Sequence, residues 1–250
     1  MLNLLSVTQK ILKSIEEKTG KSVQLMQDDS LPILATIQIA RHGVGFHILR
    51  YKPTNDPLDY LIAYQAGFLL RLYENEPHKR FDFGPVEDRD KKIKRLLFAQ
   101  RAKADDELVN RFAEHLTKWS LMNLRSFPIG MRVDQWIRRS FPQLHKQQEQ
   151  SIAMQQQQNT SSLSMNLQDL TVPDVLLAPN AAYAIFCDDL TGQNTYSIPY
   201  QASGLLESGK TLMSILRKTP ESPESDCALV DAWAEFIGLR DLYAWQPFTP

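Results

Sequence analysis

No apolar run in the 250 residues approaches the roughly 20 that a helix needs to cross a bilayer. The first 20 residues interleave polar side chains at helical spacing, unlike the unbroken apolar stretch of a secretory signal, so a cytoplasmic protein is expected. Cysteine is scarce. Cys187 and Cys227 have no neighbouring Cys or His in metal-ligand spacing, and two buried thiols are expected in place of a disulfide. The five histidines are scattered; His42 and His47 fall on an expected strand or turn and on opposite faces if the strand is regular. These shortages exclude a sequence-local metal site, and neither a metal nor a cofactor is expected. A site assembled from distant residues stays open.

Charge is unevenly spread. Residues 1–168 carry 24 Lys and Arg against 18 Asp and Glu, and residues 169–250 carry 4 against 11, which marks a boundary. Between the halves, Gln147 to Ser164 holds seven Gln and then Asn-Thr-Ser-Ser-Leu-Ser, a polar composition that predicts a linker. The expected division is a domain over 1–145, a Gln/Ser-rich linker over 146–168, and an acidic, mainly helical region over 169–250.

Leu4, Val7, Ile11, Leu12 and Ile15 share one helical face, and Gly20 supplies a stop. Ser22 to Met26, Ile33 to Ala40 and Gly45 to Tyr51 read as strands. Then comes Asn55 to Glu74, the helix on which the domain is centred: Asp56 can cap it, Pro57 suits its first position, and Asp59 favours its positive end. Leu58, Leu61, Ile62, Leu69, Leu70 and Leu72 give it a broad apolar face. The order predicts an α+β domain.

Inside that helix stands Ala63-Tyr64-Gln65-Ala66-Gly67-Phe68, with Asp-Tyr-Leu-Ile before it and Leu-Leu-Arg-Leu-Tyr-Glu after it. The frame resembles the motif helix of the ImmA/IrrE-like zincins, metallopeptidase-like domains of bacteria, over roughly the first 140 residues. In a zincin, two His at i and i+4 bind zinc and the Glu between them polarises its water. Tyr64, Gln65 and Phe68 stand at those three positions, and none can do that chemistry: Phe offers no lone pair, a neutral phenol is a poor ligand, and Gln takes up no proton. Asp134, in Met-Arg-Val-Asp-Gln-Trp, matches the later acidic ligand. The resemblance implies a zincin-like N-terminal part with a small antiparallel sheet, its catalysis lost. It also implies a binding role toward a protein or peptide, added at a sheet edge, in a bacterial stress, mobile-element or phage-response circuit. Without the family, the same residues read as packing, since Tyr64 and Phe68 at i and i+4 form a favourable pair.

Two further patterns offer alternatives. Lys91 to Lys103 puts Lys91, Lys92, Lys94, Arg95 and Arg101 on a basic helix face able to meet nucleic acid. Flanking acids and the lack of any recognisable nucleic-acid module favour a solvated face. Gly204 to Thr211 satisfies the phosphate-loop pattern, with Gly204, Gly209, Lys210 and Thr211 at its fixed positions and an expected strand over Asn194 to Tyr200 before it. Too little chain follows for the usual parallel α/β sheet, so a helix with Ser208-Gly209 facing solvent is preferred. A hydrolase site relocated to His42, His47, His78, Asp82 or Asp134 is the remaining enzymatic alternative.

Overall fold

A computed structural model describes residues 2–41, 43–53, 57–100 and 105–249. In chain order the elements are α1 (Ser6–Thr19), β1 (Ser22–Gln27), β2 (Ala35–Gln38), β3 (Phe46–Tyr51), α2 (Leu58–Glu74), β4 (Phe81–Pro85), α3 (Lys91–Phe98) and α4 (Asp106–Ser140). There follow α5 (His145–Ser161), β5 (Asn166–Leu167), β6 (Leu170–Thr171), α6 (Asp174–Thr191), α7 (Ile198–Ala202), α8 (Leu206–Lys218), α9 (Asp226–Phe236) and β7 (Tyr243–Pro247). The chain is α+β and mainly helical. No helix among the described residues is long and apolar enough to cross a membrane.

The compact units are not the expected ones. One comprises residues 1–82, 132–154 and 247–250; the other comprises 83–131 and 155–246. In place of a linker, residues 145–161 are helical. Gln is a good helix former, and Gln148, Ser151, Ile152 and Gln156 supply a buried face at helical spacing. Composition misleads here because that face is largely polar, with Gln148 Nε2 bonded to Asp134 and Gln156 Nε2 to the Cys187 sulfur.

In the first unit the sheet has the order β1-β3-β2. It is mixed, not antiparallel: β1 runs parallel to β3, and β2 antiparallel to it. The side chains of His47, Leu49 and Tyr51 alternate inward along β3. Leu49 and Tyr51 form the core with Ile11 and Ile15 of α1 and Ile62, Ala63, Ala66 and Leu69 of α2. The capping role expected of Asp56 lies outside the described residues, and Pro57 stands at the N-cap, one position before the helix. Asp59 does something other than face a dipole: its Oδ1 accepts the Leu5 N–H at 2.9 Å, which secures the start of α1. At the other end of α2, Arg80 donates to the carbonyls of Tyr73 and Asn75.

Asp106 to Leu124 and Pro128 to Phe141, expected as two helices, are one, with Pro128 inside it. Proline removes one backbone bond, but Leu124, Phe127 and Met131 are buried on either side, and that burial holds the helix together.

The second unit is built on α6, which is buried from Leu176 to Asp188 except at Ile185. Phe127 stacks on Tyr183 with ring centroids 4.9 Å apart. The strand expected over Asn194 to Tyr200 is absent. Asp188 takes the backbone N–H groups of Thr195, Tyr196 and Ser197 at 2.9 to 3.0 Å, which holds a bend there that leads into α7. Cys187 is buried and Cys227 half-buried, both as free thiols, and burial pushes the Cys227 thiol up to about 12.

Candidate functional site

The motif helix α2 lies within the first unit, and its three diagnostic side chains are half-buried. Spacing of four places Tyr60, Tyr64 and Phe68 in a row, with centroids 5.8 Å apart for the first pair and 5.2 Å, edge to face, for the second. Tyr64 and Phe68 therefore do project from one helix face. What that face carries is an aromatic ladder.

Gln65 points elsewhere. Its Nε2 donates to the Ala35 carbonyl at 3.1 Å, joining α2 to β2. The register shows which edge this is. Lys52 N–H bonds the Leu34 carbonyl, so the pairs alternate: Thr36 and Gln38 exchange bonds with β3, whereas the peptide groups of Ala35 and Ile37 point away from it. The Ala35 carbonyl is thus on the open edge of β2, and Gln65 meets it there. No described residue bonds the N–H or the carbonyl of Ile37, the next outward position.

Helix α4 closes the other side of α2. A Cβ at Gly67 would collide with the Val133 side chain and come within 3.4 Å of Trp136, so glycine sets how closely the helices approach. One residue along, Asp134 is wholly buried. The Tyr60 hydroxyl donates to its Oδ1 at 2.7 Å, Gln148 Nε2 donates to the same oxygen at 2.9 Å, and Gln147 Oε1 accepts the Tyr60 N–H at 2.9 Å. Asp134 is thus bonded to Tyr60 of α2, one turn before Tyr64. Tyr60 keeps the same spacing of four from Tyr64 that Tyr64 keeps from Phe68, a relation legible in the sequence. The roles of Gln65 and Ile37 depend on strand register, which periodicity does not reveal.

The histidines and acids of the relocated-site alternative have separate partners. His47 is fully buried, accepts the Ala40 N–H at Nδ1 and therefore carries its proton on Nε2, 3.1 Å from Thr19 Oγ1. Burial, and then the charge of Lys21, lowers its pKa to about 4. His78 is exposed beside Glu76, Asp82 pairs with Arg41, and His42 lies outside the described residues. Among the described residues no group of three or more His, Cys, Asp or Glu is placed to hold a metal ion.

On α3, Lys91 pairs with Asp88, Lys92 with Asp241 at 3.0 Å, and Lys94 with Asp90 at 2.6 Å. Arg95 is exposed; Arg101 lies outside the described residues. A face whose lysines are already paired offers less charge to a phosphate backbone than its composition suggests.

Residues 206–211 form the first turns of α8. Gly204, at φ +75°, turns the chain, and the Gly209 N–H is used on the Leu205 carbonyl at 3.1 Å. Lys210 pairs with Glu207, and the Thr211 hydroxyl donates to the Glu207 carbonyl. A phosphate cradle needs loop N–H groups free to converge on an anion, and those of Gly204, Leu205 and Gly209 already bond carbonyls of the chain. Gly209 also departs from its expected place on the solvent side. It is buried, and a Cβ there would sit 2.9 Å from the Ala181 carbonyl carbon on α6.

No family model, curated protein or solved structure matches the chain.

Proposed function

We propose that this chain is a catalytically silent zincin-like protein that works by binding an extended peptide or protein segment, which adds as a strand to the open edge of β2. The observation that carries the reading is the juxtaposition of Gln65 and Ala35: the helix position where a zincin has its catalytic Glu reaches the outward peptide group of an edge strand. Strand addition needs open main-chain groups on such an edge, and those of Ile37, the next outward position, have no described partner. The side chains at 64, 65 and 68 support binding without cleavage, because none ligates zinc or accepts a proton. Regulation in a bacterial stress, mobile-element or phage-response circuit follows from the family resemblance alone.

The test is selection of peptides from a random library on the full chain with a chelator present. Binders should be recovered uncut and should lose affinity for Ile37→Pro. That substitution removes an N–H facing away from β3, so the β2–β3 ladder keeps its bonds. Peptides that bind Ile37→Pro as well as wild type, or that are cut in a chelator-sensitive way, would overturn the reading.

A further inference from the structure

Near its end the chain places one aromatic side chain into the first unit. Phe248 is 4 % exposed, whereas Gln246 and Pro247 before it and Thr249 after it are exposed. A lone aromatic anchor between solvated neighbours is how a short peptide engages a pocket, with most of the affinity in one well-buried ring. Tyr73 meets that ring edge to face at 6.1 Å, and the Arg41 guanidinium lies over it at 5.0 Å. The Phe248 N–H donates to the Arg80 carbonyl at 2.9 Å, next to the two-stranded pairing of β4 with β7.

The pocket walls are held by contacts that do not involve Phe248. Arg80 covers the Tyr73 ring at 4.4 Å, His47 meets the same ring edge-on at 6.1 Å, and Asp82 pairs with Arg41. Walls fixed in this way keep their shape when the anchor leaves, and that preorganisation lowers the cost of binding.

We infer that this pocket is a peptide site occupied in cis by the chain's own segment around Phe248, and that the ligand class able to replace it is an extended peptide carrying a phenylalanine between solvated residues. The segment acts as a strap. Its tether through β7 gives Phe248 a high effective concentration at the pocket, so a free peptide competes poorly until the strap is lifted or its anchor removed. The anchor's partners are Arg41, Tyr73 and Arg80, none of them in β2, and either proposal can fail without the other.

The experiment uses the full chain with Phe248→Ala, probed with a labelled synthetic peptide of the sequence of residues 245–250. Fluorescence anisotropy should show saturable binding to the variant about tenfold or more tighter than to wild type. The same peptide with Ala in place of its Phe should not bind. A folded variant that fails to bind the peptide, or wild type that binds it equally well, would overturn the proposal. Should Phe248→Ala not fold, Phe248→Leu takes its place; if neither folds, Phe248 is an indispensable core residue and the proposal is also overturned.

Discussion

Tyr60 and Asp134 lie 74 positions apart and share a 2.7 Å hydrogen bond inside the first unit. The bond joins the first turn of α2 to the wholly buried carboxyl group of α4. Tyr60→Phe keeps the ring and removes that donor. A hydrogen bond to a charged or strongly polar buried group contributes about 1.5–3 kcal/mol, and the variant should lose that much in urea unfolding with its m-value unchanged. A midpoint equal to wild type would show that the bond contributes nothing.

Gly67→Ala should destabilise despite the better helix propensity of alanine. The propensity gain of about 1 kcal/mol is outweighed by driving a methyl group into the Val133 side chain, at about 1–3 kcal/mol, unless the helices separate. Pairing it with Val133→Ala should recover part of the loss. A stabilised single variant would contradict the close approach of α2 and α4.

These contacts show where sequence reading succeeds and stops. The α1, β1, β3 and α2 segments were legible because their periodicities are local and their buried faces apolar. The helix over 145–161 was not, since its buried face is made of Gln148, Ser151 and Gln156, whose partners Asp134 and Cys187 lie on other helices. Likewise, the direction of β1 relative to β3 and the outward parity of Ile37 are properties of pairing, which no single strand carries. At the motif helix the shared face of Tyr64 and Phe68 could be read from spacing. The destination of Gln65 could not.

His47 makes the stability of the first unit depend on pH. Its pKa is lowered from 6.5 to about 4 in the folded protein, so as pH falls the unfolded chain takes up a proton before the native one does. The contribution is fully present above pH 6.5 and is lost progressively down to about pH 4, amounting to about 3 kcal/mol. NMR titration of the His47 ring gives the check: an imidazole titrating near 6.5 in the native state would contradict its burial between Thr19 and Ala40.

Gln65→Glu replaces a donor with a carboxylate aimed at the Ala35 carbonyl. Loss of the bond and the oxygen–oxygen repulsion should cost about 1–3 kcal/mol at neutral pH, with part regained as the carboxyl group is protonated in acid. Restoring His at 64 and 68 alongside this change therefore needs a stability measurement before any zinc titration. Unchanged stability at pH 7 would mean that Gln65 does not hold the β2 edge.

Hydrogen exchange at one amide tests strand addition most directly. The N–H of Ile37 faces away from β3 with no described partner, so in the free protein it should exchange rapidly while Thr36 and Gln38, paired to β3, are protected. Saturation with a peptide selected on the full chain should slow Ile37 by about a hundredfold or more, as expected for an amide entering a ladder bond. An Ile37 amide that exchanges equally fast with and without bound peptide would contradict the account.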